Sequence, residues 1–160
     1  MMILIKANVF VALLAGTSLA IPAKEPTSAH NTGKTLQCIV DGKTANIHED
    51  AAKQLAKTAP AGKDIQTKSS YPHIYENNDA IKWDNQACNS KNVKTHEFPI
   101  DETGRMYPWN GVWIGNTLVK KKEDPGPCRV VYSETDRHYC GVMCHKSMKP
   151  EGEKGFNKCT

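Results

Sequence analysis

The stretch LQCIVDGKTANIHEDAAKQLAKTAP, Leu36 to Pro60, decides the fold class. Its first half holds two short strand-like runs, Leu36–Val40 and Lys43–Ile47, separated only by Asp41-Gly42. That dipeptide readily takes up the left-handed conformations a two-residue hairpin turn demands, so the segment predicts a tight β-hairpin. The second half changes period. In Glu49–Ala59, the residues Ala52, Leu55, Ala56 and Ala59 fall at i, i+3, i+4 and i+7, one face of a helix, and Pro60 ends it. No comparable helical period follows. Ser70–Tyr75, Ala80–Trp83, Val93–Ile100, Arg129–Ser133 and His138–His145 are short strand-like runs punctuated by Gly, Pro, Asn and Asp. One helix followed by several strands predicts an α+β fold: an N-terminal β-hairpin, one α-helix packed on a central antiparallel β-sheet, and long loops.

Residues 101–127, DETGRMYPWNGVWIGNTLVKKKEDPGP, read as one long connection. Loops of that length inside a small domain commonly carry function. Its cluster Lys120, Lys121 and Lys122 is either a solvated surface, partly neutralised by Glu123 and Asp124, or a phosphate-contacting loop. Trp109 and Trp113 are either loop anchors or platforms for stacking bases.

Outward from this core, the chain opens with a targeting segment. Lys6 precedes the apolar run Val9–Ala15, and Ser18-Leu19-Ala20 supplies the small residues of a cleavage site, so residues 1–20 read as a secretory signal peptide. The run is shorter than the about 20 apolar residues a membrane span needs. Residues 21–35, rich in Pro, Ser, Thr and Gly, read as a flexible extension or pro-segment, and 36–160 as the functional domain. The 160 residues suit one domain, and 39% hydrophobic with 24% charged residues is a soluble globular balance. The net charge of +4 is too small to announce a nucleic-acid binder by itself. Six cysteines, all beyond the signal, predict three disulfides in a secreted chain, although six cysteines admit more than a dozen pairings. No C-x-x-C pair is present, and the adjacent Cys144 and His145 suit one tetrahedral ion poorly, so no metal is expected.

Candidate chemistry lies in polar residues set into strand-like runs. Glu97 sits between His96 and Phe98, Arg129 opens RVVY, and His145 closes YCGVMCH. Tyr71 and His73 are two apart and share a side if extended. Here the chain resembles the fungal guanyl-specific ribonucleases and their ribotoxin branch, the sarcin-, restrictocin- and hirsutellin-like proteins. SYPHIY, HEFPI, DPGPCRVVY, YCGVMCHK and GFNKCT occur in that family's order across nearly all of 36–160. The resemblance implies the microbial ribonuclease fold and metal-independent endoribonuclease activity with no cofactor. It implies Glu97 as general base and His145 as general acid, with Arg129, His73 and Tyr71 around the scissile phosphate. Phe156 would be the aromatic against that site, and Asn77 would lie in the base-recognition loop. The neighbouring Glu-Asn-Asn-Asp of 76–79 departs from the guanyl-specific pattern, so base preference stays open.

The resemblance also implies the bridges Cys38–Cys159 and Cys88–Cys140, which leaves Cys128 and Cys144 as an extra pair. Strand parity bears on that pair independently. If Arg129 and His145 point to one face, Cys128 and Cys144 point to the other and can meet across neighbouring antiparallel strands.

Within that resemblance, the long lysine-bearing connection, the basic charge and the likeness of DPGP and YCGVM to the sarcin- and hirsutellin-like proteins favour the ribotoxin branch, which implies action on the sarcin-ricin loop of ribosomal RNA in the ribosome and so inhibition of translation. Such a protein is expected to be a secreted monomer that acts in a target-cell cytosol, with acidic phospholipid membranes as a partner during entry. The short hairpin argues the other way, for an ordinary secreted ribonuclease. A ribonuclease-fold effector that binds RNA or protein without catalysis is the third reading.

Overall fold

Asp41 and Gly42 adopt φ of 50° and 75° and fold β1 (Thr35–Val40) back onto β2 (Lys43–His48). Positive φ at both turn residues matches the right-handed twist of the paired strands. The structure is a computed structural model that describes residues 33–60, 69–108, 112–114, 117–119 and 123–160. Alternation along β1 buries Leu36 and Cys38, which pack with Ile47 of β2 against the core. The chain's last residue completes this corner: Gln37 and Thr160 exchange backbone hydrogen bonds at 2.8 and 3.1 Å, beside the Cys38–Cys159 disulfide.

Helix α1 spans Glu49–Thr58. Glu49 and Asp50 in its first turn and Lys57 in its last complement the helix dipole. At its end the Ala59 N–H bonds back to the Leu55 carbonyl, and Arg137 donates to the carbonyls of Lys57 and Ala59, satisfying groups a helix terminus leaves open. The face carrying Ala52, Leu55 and Ala56 is buried.

That face packs on a five-stranded antiparallel sheet in the order β3 (His73–Tyr75), β4 (Thr95–Pro99), β7 (Cys128–Ser133), β8 (Tyr139–His145), β9 (Phe156–Lys158). Period-two alternation sorts the side chains. Phe98, Val130, Tyr132 and Val142 face the helix and form the main core with Cys128 and Cys144. The opposite face carries Glu97, Arg129 and His145, and a second cluster of Tyr75, Trp83, Val131 and Met143 covers part of it. The three disulfides are Cys38–Cys159, Cys88–Cys140 and Cys128–Cys144. Cys128 and Cys144 stand directly opposite in the β7–β8 register with Cα atoms 4.0 Å apart, on the helix side of the sheet.

Several expected strands need correction. The run at 70–75 pairs only over His73–Tyr75. Ala80–Trp83 is not a strand: Ala80 has φ 53°, and asparagine side chains supply the backbone partners. Asn77 bonds both the N–H and the carbonyl of Ile81, and Asn89 those of Trp83, all at 2.8–2.9 Å. The connection 101–127 is not wholly irregular, since β5 (Val112–Ile114) pairs with β6 (Thr117–Val119). Phe156–Lys158, unassigned by periodicity, closes the sheet as its edge strand.

Candidate active site

Register brings the singled-out residues together on the sheet face away from α1. Glu97 on β4 lies directly across from His73 on β3. Arg129 on β7 is opposite Pro99 on one side and Met143 on the other. His145, two residues beyond Met143, is opposite Phe156 on the edge strand. The four polar side chains therefore form a row across neighbouring strands.

Glu97 is only 7% exposed. Its Oε1 is hydrogen-bonded to His73 Nε2, while Oε2 is buried and has no partner among the described residues. Arg129 is 3% exposed. Its Nη1 donates to the carbonyls of Pro125, Gly126 and Cys128 at 3.2, 2.7 and 2.8 Å, and Nη2 donates to the Tyr71 hydroxyl at 2.9 Å. Arg129 Nε is buried and unpartnered among the described residues. A buried charge leaves a hydrogen-bonding atom idle at considerable cost unless a ligand completes it. Here a carboxylate oxygen and a guanidinium N–H are both left so.

The aromatic groups frame this pair. The Tyr71 ring lies 4.6 Å from the His73 ring, and the Arg129 guanidinium sits 5.1 Å above the Tyr71 ring centre. Because the Tyr71 oxygen accepts from Arg129, its own proton is available to a ligand. Burial raises the Tyr71 pKa, which keeps that proton in place. The His145 imidazole stacks on Phe156 at 4.1 Å between centroids. Burial, reinforced by the positive charge of Arg129, lowers the His145 pKa below 6.5, and Glu97 and Asp79 pull the other way.

Next to Glu97 a cleft of about 210 Å³ is lined by Ile74, Tyr75, Asn77, Asp79 and Phe156 among others. Asn77 borders it with φ 52°, but its amide is engaged inside the loop, with Ile81 and with the Tyr75 hydroxyl at 2.8 Å. The Asn77 amide therefore shapes the wall of the cleft. Lys120, Lys121 and Lys122, Trp109 and the side chain of Trp113 lie outside the described residues. The sulfurs of Cys38, Cys144 and Cys159 lie within 4.8 Å of one another, but each belongs to a disulfide and none is a thiolate ligand.

Sequence reasoning missed two supports. The Pro125 and Gly126 carbonyls hold the guanidinium, and Tyr107 meets the Tyr71 ring edge-on at 5.7 Å. Asp-Pro-Gly is a readable turn signal for the first. Nothing local marks Tyr107, because its partner lies 36 residues earlier in the chain.

The family described as ribonuclease matches residues 32–160. Ribonuclease clavin of Aspergillus clavatus is 32% identical over 90% of this chain and 93% of its own length. Ribonuclease alpha-sarcin of Aspergillus giganteus is 31% identical with the same coverage. Among solved structures, restrictocin, a highly specific Aspergillus ribotoxin, shares the fold at TM-score 0.63 and 24% identity, covering 79% of this chain and 99% of its own. Restrictocin has also been solved with a 29-mer sarcin/ricin domain RNA analog. Hirsutellin A from Hirsutella thompsonii aligns at TM-score 0.53 and 27% identity over 79% of this chain and 98% of its own.

Proposed function

The chain belongs to the ribonuclease family, and we propose that it is a secreted ribotoxin-like endoribonuclease that cleaves the sarcin-ricin loop of large-subunit ribosomal RNA by transphosphorylation. The observation that carries this reading is the pair of idle buried atoms, Glu97 Oε2 and Arg129 Nε, on the sheet face that also bears His145. A general base, an anion-binding cation and a general acid on one face match what RNA cleavage requires.

RNA brings its own nucleophile. Glu97 Oε2 takes the proton of the 2′-hydroxyl as its oxygen bonds to phosphorus. His145, as imidazolium, gives a proton to the departing 5′-oxygen as the P–O5′ bond breaks. The products are a 2′,3′-cyclic phosphate and a 5′-hydroxyl. Arg129 Nε–H and the Tyr71 hydroxyl donate to the non-bridging oxygens as charge builds on the pentacovalent phosphate. His73, bonded to Glu97 Oε1, orients the carboxylate so that Oε2 stays free. DNA lacks the 2′-hydroxyl and is no substrate. The cleft beside Glu97 receives the base on the 5′ side of the cut.

The ribosomal target is supported by the relatives named above, alpha-sarcin and the ribotoxin restrictocin with its RNA analog. The signal-like residues 1–20 support secretion, and the net charge of +4 suits contact with acidic phospholipid membranes during entry of the monomer. Lys120, Lys121 and Lys122 are proposed phosphate contacts on the flanking RNA.

The test is purified protein in a eukaryotic translation lysate, read on a denaturing gel. One discrete small fragment from large-subunit RNA is expected. General degradation makes it an ordinary ribonuclease. Intact RNA with the disulfides formed makes it a binding effector. Glu97→Gln and His145→Gln are each expected to cut cleavage about 100- to 10,000-fold; toxicity that survives both changes ends the enzymatic reading.

A further inference from the structure

Arg129 is held from behind by a turn whose own geometry depends on one exposed carboxylate. Asp124 Oδ1 accepts the Gly126 N–H at 2.9 Å. This closes a loop over Asp124–Gly126 in which Gly126 takes φ 62°, a conformation that costs other residues free energy. The closed turn aims two successive carbonyls, Pro125 and Gly126, at Arg129 Nη1. With Nη1 engaged there and on the Cys128 carbonyl, and Nη2 on Tyr71, the guanidinium plane is fixed, and Nε is the guanidinium nitrogen left without a partner among the described residues.

The other side of the same turn is braced. Tyr107, 7% exposed, donates to the Glu123 carbonyl at 2.9 Å and packs edge-on against Tyr71. Arg105 pairs with the Glu123 carboxylate at 3.2 Å. Both ends of the long connection thus converge behind the Arg129–Tyr71 pair.

We propose that Asp124 is a positioning residue for RNA cleavage: by closing the Asp124–Gly126 turn it sets the plane of the Arg129 guanidinium, so that Nε–H meets the scissile phosphate. This rests on the role given to Arg129 under Proposed function. Asp124 touches no reacting atom. Its loss frees the two turn carbonyls to turn away and leaves the guanidinium on the Cys128 carbonyl and Tyr71, with room to tilt, and misplacement of a catalytic group by an ångström costs about 100-fold in rate.

The carboxylate's role here is as an acceptor, not as a charge, which separates the idea from simple electrostatics. Asp124→Asn keeps an acceptor oxygen for the Gly126 N–H. Gly126→Ala breaks the turn by strain alone, because an added Cβ meets nothing within 4 Å.

The experiment measures cleavage of a sarcin-ricin loop RNA oligonucleotide by wild type, Asp124→Ala, Asp124→Asn and Gly126→Ala, with melting temperatures alongside. Asp124→Ala and Gly126→Ala are expected to lower kcat about 10- to 100-fold with KM changed less than about twofold. Asp124→Asn is expected to recover to within about threefold of wild type. Melting temperatures should stay within about 4 °C, as for other surface substitutions. An Asp124→Ala kcat within about twofold of wild type, or an Asp124→Asn variant as impaired as Asp124→Ala, overturns the proposal. Should Asp124→Ala fail to fold, Gly126→Ala decides by the same criterion. A second readout does not need activity. Exchange of the Arg129 Nε–H, followed by nitrogen-15 NMR, should be slow in wild type and Asp124→Asn and at least about tenfold faster in Asp124→Ala. If wild type leaves the RNA intact, the reading under Proposed function falls, and the exchange rates still decide whether Asp124 fixes the guanidinium; equal rates refute it.

Discussion

Glu97 occupies an interior strand, paired with His73 on one side and Val131 on the other, in a position where a sheet ordinarily places an apolar side chain. The sequence makes the oddity visible, since a carboxylate between His96 and Phe98 breaks the run. What it does not reveal is the state of the two oxygens, one on His73 and one idle, because that depends on a partner 24 residues away. His145 yields a pH dependence in the same way. Burial and Arg129 depress its pKa below 6.5. In the proposed mechanism His145 acts as imidazolium, so kcat/KM falls as the imidazole loses its proton. The falling limb for free enzyme is expected on the acid side of 6.5. The limb in kcat should lie at higher pH, because a bound phosphate stabilises the imidazolium. A pH–rate profile on a short RNA checks both, and a falling limb of kcat/KM above pH 7 removes His145 as the acid. Asn77 shows where residue-level reading falls short. Its type and position are legible, but the engagement of its amide by Ile81 and Tyr75 is not, because those partners are set by the fold of the loop.

Elements are legible where a single segment carries its own signal. The hairpin declares itself through Asp41-Gly42, and α1 through four apolar positions on one face. β9 is not legible, because its three residues are a strand only by virtue of the β8 edge beside them. Ala80–Trp83 misleads for the opposite reason: the composition suits a strand, yet Asn77 and Asn89 satisfy the backbone locally and remove the need for a neighbour. The β7–β8 pair is the element that matters most to the chemistry, since it carries Arg129 and His145 on one face and the Cys128–Cys144 bridge on the other. Strand parity alone links those four residues, because each cysteine is the chain neighbour of one of the two polar groups. The bridge closes a loop of sequence separation 16, for which the chain-entropy account gives about 3 kcal/mol. A Cys128→Ala/Cys144→Ala double variant is accordingly expected to lose about 3 kcal/mol in urea unfolding. It should keep the β7–β8 register, which the remaining paired positions and the core beneath still specify. Unchanged stability would mean that the reduced, unfolded chain is already constrained at that point.

At the largest scale, the described residues form a sheet used on both sides, with the hydrophobic core and helix beneath and the proposed reacting groups above. Placing titratable groups so close to a core has a consequence for the entire fold. His96, on the helix side and only 2% exposed, has its pKa lowered by burial, with Glu134 opposing and His73 assisting. His145, on the other face, is lowered chiefly by burial as well. Both histidines therefore bind protons less readily folded than unfolded. The stability they contribute is fully present above the unfolded value of about 6.5 and is lost as pH falls through the depressed folded values. Melting temperature is thus expected to be level at neutral pH and to decline on acidification below about 6.5, before the carboxylates titrate. His96→Gln should flatten part of that decline without altering the pH–rate profile, and His145→Gln should flatten another part while cutting cleavage as predicted above. A wild-type melting temperature equal at pH 7.5 and pH 5 would contradict the argument. The two dependences pull against each other: the imidazolium proposed as the acid is the form the folded protein accommodates least well. Substrate resolves the conflict, because a bound phosphate beside Arg129 and His145 compensates the charge. Addition of a non-cleavable RNA analogue, its 2′-hydroxyls replaced by 2′-methoxy groups, should therefore raise the melting temperature more at pH 5.5 than at pH 7.5.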